Sequence, residues 1–154
     1  MNSPRTVSPK KLGSSTGSLL FVFLAFSACS TSTDPTTSLW EATLSPILPS
    51  VVSGNAAAVA QFGRTEASVE IRQGEPGTFY GWRINAGTCD GEGALQGGIA
   101  AYPLMEADET GIASADALLS TVLRSGGSYA ARVYLPLSGG GQEILACGNL
   151  QESS

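Results

Sequence analysis

From Thr65 to Gln73 the side chains alternate: Ala67, Val69 and Ile71 are apolar, while Glu66, Ser68, Glu70 and Arg72 are polar. A period of two places one set on each side of an extended backbone, so this segment predicts a strand with one buried face. Short apolar stretches of similar length predict strands near Leu39 to Pro46, Ala56 to Gly63, Thr78 to Asn85, Gly98 to Leu104, Tyr129 to Leu137 and Glu143 to Leu150. Gln73 to Gly77 and Ser138 to Gly141 read as turns, because glycine supplies positive φ and proline cannot continue a ladder. Over 114–123, Leu118, Leu119, Val122 and Leu123 fall at helical spacing and predict a short helix or turn, although a strand of the same composition also fits. The whole pattern predicts an all-β domain, an antiparallel sandwich or barrel with that one short helix or turn.

The pattern changes upstream. Arg5, Lys10 and Lys11 precede the apolar run Leu19 to Phe26, which ends in Ser27, Ala28 and Cys29. Basic, then apolar, then small is the order of an export signal, and the run is too short for a spanning helix, which needs roughly 20 apolar residues. Residues 1–28 are therefore expected to be a signal peptide. Phe26-Ser27-Ala28-Cys29 resembles a bacterial lipobox, which predicts a lipid on Cys29 and attachment to a membrane through it. Phe26 stands where an aliphatic residue is usual, so cleavage and simple secretion to the periplasm or exterior is the alternative. Ser30 in place of aspartate after the cysteine resembles the sorting pattern for an outer membrane, where the cell has two. Residues 29–38, small, polar and containing Pro35, predict a flexible linker; 39–150 the folded domain; and 151–154 a frayed tail.

Charge narrows the partners. Lys10 and Lys11 are the only lysines, so the chain from Cys29 onward holds five arginines against all thirteen carboxylates, a net charge of −8. An acidic chain without a basic stripe is a poor match for nucleic acid and for electrostatic docking on anionic lipid, so membrane contact is expected to come from acyl chains at Cys29. There is no histidine at all, which excludes a serine–histidine triad and every imidazole metal site.

Two cysteine-bearing segments carry a resemblance. Tyr80-Gly81-Trp82-Arg83-Ile84-Asn85-Ala86-Gly87-Thr88-Cys89 resembles the strand of copper/zinc superoxide dismutases that bears Gly-x-His-x-His and then a disulfide cysteine, and Leu145-Ala146-Cys147-Gly148 resembles the segment holding the partner cysteine. Tyr129 to Tyr134 is similar to the later strand ending in a further copper histidine. The likeness runs from about Leu39 to Leu150 and implies a single Greek-key β sandwich or barrel of the superoxide dismutase-like type. A weaker resemblance is to the CHRD domain. The first resemblance implies a Cys89–Cys147 disulfide. Lipidation of Cys29 would leave those two as an even pair, export permits the bond, and two buried free thiols are the alternative.

Carried across residue by residue, the copper histidines fall on Arg83, Asn85 and Tyr134. Arginine stays protonated and has no lone pair to give, a carboxamide is a poor copper ligand, and a neutral phenol is weak. The histidine-rich zinc loop is replaced by Asp90 to Gly97, and the arginine three residues before the second cysteine by Ile144. The resemblance thus implies a non-catalytic, cofactor-free, envelope lipoprotein serving as a structural or interaction module for an envelope protein. Two alternatives remain: an enzyme with a substitute metal site, and a small-ligand binding module using the Arg83, Asn85 and Tyr134 face, the former copper site.

Three further clusters read more simply as structure. Glu106, Asp108 and Glu109 lack the oxygen-rich spacing of a calcium loop and predict a solvated turn. Gly139 to Gly141 predicts a hairpin connection, with no lysine or helix after it to hold phosphate. Asp90 and Glu92 predict a solvated loop rather than a hard-metal site.

Overall fold

The structure is a computed structural model that describes residues 37–91 and 93–153. Cys29, the segment expected to be a signal peptide and most of the expected linker lie outside the described residues. Eight strands follow in order: β1 (Ser38–Pro46), β2 (Ser53–Gln61), β3 (Arg64–Arg72), β4 (Phe79–Ala86), β5 (Met105–Glu106), β6 (Ala113–Leu119), β7 (Tyr129–Pro136) and β8 (Gln142–Ser153). They form one antiparallel sheet in the order β5-β4-β7-β8-β1-β2-β3-β6. Its two end strands, β5 and β6, come together, so the sheet nearly closes into a barrel. The near closure matters because it brings the two remaining edges, those of β5 and β6, against each other. The chain crosses the barrel ends from β3 to β4 and from β6 to β7, the Greek-key connections.

Alternation fills the interior. Trp40, Leu44, Ile71, Trp82, Ile84, Leu119 and Val133 are fully buried, and the inward side of β2 is made only of small residues, Gly54, Ala56, Ala58 and Ala60. Large side chains from the other strands, set beside the small ones of β2, let a narrow barrel fill its interior. Trp40 meets Tyr129 edge-on at 5.2 Å, and Trp82 meets Tyr102 edge-on at 5.1 Å.

Three segments depart from the sequence-based expectation. Residues 113–119 form β6, not a helix, because Ala113, Ala117 and Leu119 face inward at a period of two and the edge of β3 needs a hydrogen-bonding partner. Gly98 to Leu104 is not a strand: a 3-10 turn at Ile99–Ala101 precedes the two-residue β5, and Pro103, without an N–H, cannot extend a ladder. The tail does not fray at Gln151, since β8 continues to Ser153 opposite Leu39 of β1. The turns stand where glycine placed them, Leu137 N–H donating to the Gly141 carbonyl (2.9 Å) across the last hairpin.

Candidate functional site

On β4, Tyr80, Trp82 and Ile84 point into the barrel, so Gly81, Arg83 and Asn85 must line its outer face. Antiparallel pairing sets Gly81 opposite Tyr134, Arg83 opposite Arg132, and Asn85 opposite Ala130 on β7. The next strand, β8, sets Cys147 opposite Arg132 and Asn149 opposite Ala130. Arg83, Asn85 and Tyr134, distant in sequence or on different strands, are thereby brought onto one patch, together with Arg132.

The side chains in that patch are committed to one another. The Tyr134 ring lies directly over Gly81, where any Cβ would collide with it. The Arg83 guanidinium carbon stands 5.1 Å from the centroid of that ring, within cation–π range. Asn85 Nδ2 donates to the Gly93 carbonyl (3.1 Å). Arg132 Nη2 donates to the carbonyls of Thr88 and Gly91, both at 2.8 Å, and its Nη1 is buried without a hydrogen-bond partner among the described residues.

The segment after β4 covers this face. Cys89 is disulfide-bonded to Cys147, with Cα atoms 5.8 Å apart. Its N–H donates to Asn149 Oδ1 (2.8 Å). Residues 93–96 fold back on the β4 edge, where Ala86 N–H donates to the Ala94 carbonyl (2.8 Å) and Gln96 N–H to the Ile84 carbonyl (2.9 Å). Tyr102 Oη donates to the Gln96 carbonyl (2.6 Å), and burial pushes its phenol up to about 12. Disulfide, arginine, two asparagines and a tyrosine therefore hold one loop down.

The consequence reverses one simple expectation: side chains that point away from the core are not thereby exposed. Asn85, Arg132 and Tyr134 are 2%, 2% and 6% exposed, and Arg83 is half-buried. Sequence reasoning gave Arg132 and Asn149 no role. The available signal for Arg132 was a lone charge inside Ala130-Ala131-Arg132-Val133, a strand run that is otherwise apolar.

The donor set does not fit a copper ion. A guanidinium stacked on a ring, a carboxamide already hydrogen-bonded to a backbone carbonyl, and the ring's own phenol offer no imidazole-like pair. Among the described residues no group of three Cys, Asp or Glu side chains is placed to hold a metal. Asp108 instead organises its own turn: Oδ1 accepts from Thr110 N–H (2.8 Å), Thr110 Oγ1 (2.6 Å) and Ile112 N–H (3.0 Å). The Thr110 hydroxyl and the Ile112 and Thr110 amides hold that exposed carboxyl below its usual range. Asp90 is exposed, and Glu92 lies outside the described residues.

A groove of about 650 Å³ lies elsewhere, on the outer faces of β1, β2, β3 and β6, with Glu41, Asn55, Glu70 and Asp116 in its walls. It is acidic like the rest of the domain, and Glu70 is paired with Arg72 at 3.0 Å. No helix of the described residues is long and apolar enough to cross a membrane. The Cys89–Cys147 bond is consistent with an exported protein. No family model matches the chain, and no curated protein matches it.

Proposed function

We propose that this chain is a non-catalytic domain on a superoxide dismutase-like scaffold, displayed at the cell envelope through a lipid on Cys29, where it serves as a structural or interaction module. One observation carries the reading. The positions that the resemblance assigns to copper histidines, Arg83, Asn85 and Tyr134, are engaged in packing and in anchoring the loop above them. A nearly closed antiparallel sheet, a disulfide from the segment after β4 to β8 and a loop folded over this face are what support the scaffold reading. Redox turnover of superoxide requires an ion that changes oxidation state, and the chemistry of these donors argues against one.

The binding-module alternative needs a polar face that a ligand can reach. With Asn85, Arg132 and Tyr134 nearly inaccessible, a ligand would first have to lift the segment that the disulfide and Arg132 hold down. That favours a scaffold role over small-ligand binding.

Elemental analysis of the purified chain, paired with a superoxide turnover assay, is the test. The expected result is substoichiometric copper and zinc and no turnover above buffer. One equivalent of either metal, with turnover that a chelator abolishes, would replace this reading with that of an enzyme using a substitute site.

A further inference from the structure

At one end of the barrel the β2–β3 hairpin turns through Phe62 and Gly63, both at positive φ (48° and 80°). Two-residue turns of that hand favour asparagine, aspartate or glycine, and a bulky side chain there carries a backbone cost. Among the described residues Phe62 recovers little for it, since it is 73% exposed. Beside it, in the β6–β7 connection, Val122 is 38% exposed. Behind the tip, Leu39, Val59 and Leu118 fall on one outward row of β1, β2 and β6, interrupted only by Glu66 of β3.

The same end is where the preceding chain enters. Ser38, the first residue of β1, shares one shallow cleft with Phe62, Val122 and Arg124. Cys29 lies nine residues before Ser38, so even at full extension it is no more than about 30 Å away. A lipid on Cys29 would attach the domain by this end, which puts it on average nearer the bilayer than the other, and turn its docking into an intramolecular event.

We infer that this end of the barrel rests on the lipid surface, Phe62 and Val122 entering the headgroup boundary while Arg64 and Arg124 face lipid phosphates. The inference depends on the lipoprotein reading of Cys29. These are two of only five arginines after Cys29, both exposed and each two residues beyond one of the apolar tips; Arg64 also pairs with exposed Glu66 at 3.3 Å, a surface contact that a phosphate would have to compete with. A domain of net charge −8 otherwise has little to draw it to an anionic surface, so apolar side chains and local arginines must supply the contact. Leu48, 88% exposed, sits beyond the other end of the nine-residue β2, about 30 Å away along the strand. It is the internal control.

The test uses the lipidated chain in phosphatidylethanolamine–phosphatidylglycerol vesicles with brominated acyl chains, comparing Phe62→Trp with Leu48→Trp. Trp40 and Trp82, 2% and 1% exposed, supply a constant background. Phe62→Trp should lose roughly half of its added emission, as expected for a ring roughly 5–10 Å into the headgroup boundary, and Leu48→Trp none. Val122→Trp serves as a second reporter at the same end and should follow Phe62→Trp. Palmitate incorporation at Cys29 with no quenching at 62 or 122 overturns the docking and leaves the lipoprotein reading standing. Equal quenching at 48 and 62 overturns the orientation and the inference with it. Absence of palmitate incorporation overturns the lipoprotein reading and the docking together.

Discussion

Arg132 shows how one side chain can belong to a site without being its chemistry. Its guanidinium is buried beneath residues 88–91, where its donors need acceptors: Nη2 finds two, and Nη1 has none among the described residues. The carbonyls of Thr88 and Gly91 accept from it, and charge-assisted bonds of this kind are stronger than neutral ones. Arg132→Ala would remove the Gly91 carbonyl's donor, leave the Thr88 carbonyl with the Gly91 N–H alone (3.1 Å) and open a cavity under the loop, and we expect a loss of about 2–4 kcal/mol in chemical denaturation. Amide exchange separates this from a general loss of stability: protection should fall first at 88–91, with β1 to β3 following only the global change. Uniform loss across all strands would mean that Arg132 supports the barrel itself and not the loop.

Among the elements, the connections rely on exposed carboxylates as much as on glycine. Asp108 closes the β5–β6 turn, and Glu152 on β8 accepts from Gly126 N–H and Ser125 Oγ, both at 3.0 Å, tying the β6–β7 connection to the strand end. The Thr110 hydroxyl and nearby amides hold Asp108 below its ordinary value, and the Gly126 amide, with Ser38 and Ser125, does the same for Glu152. A carboxyl whose folded value is depressed stabilises the fold fully above its unfolded value and loses that contribution as pH falls through the folded one. Thermal midpoints should therefore decline as pH drops below about 4, where unfolded carboxyls begin to protonate. The Asp108→Asn, Glu152→Gln double variant should show a shallower decline over that window, and an unchanged acid limb would remove these two groups from the account.

For the domain as a whole, the disulfide is the longest covalent constraint among the described residues. It joins the end of β4 to β8 across 58 positions and at the same time pins the covering loop. In the chain-entropy picture, opening a loop of that length costs about 4 kcal/mol, a large part of the 5–15 kcal/mol that small domains possess. The Cys89→Ser, Cys147→Ser variant should thus unfold at markedly lower denaturant concentration. If near-native tertiary circular dichroism survives, its Arg132 and Asn85 anchors should still hold the loop at reduced protection. A variant with an unchanged denaturation midpoint would show that strand pairing alone specifies the barrel.

How much of this was written in the chain order depends on range. Local periodicity was enough for the β class, for most of the strands, and for which of Trp82, Arg83, Ile84 and Asn85 point inward, because side-chain direction alternates residue by residue in any extended segment. Composition carried the exclusion of imidazole chemistry, whereas the pairing of Cys89 with Cys147 came from the superoxide dismutase resemblance, with the cysteine count in agreement. Beyond that reach, 114–123 resembled a helix until β3 offered an edge to pair with, Gly98 to Leu104 was extended in composition but had to turn a corner, and Arg132 carried a charge with no visible partner. The burial of the Arg83, Asn85 and Tyr134 face and the meeting of Ser38 with Phe62 at one end were decided only by the closed sheet. Alternation tells a side chain which way to face, whereas what lies over it is set by segments tens of residues away that packing brings together.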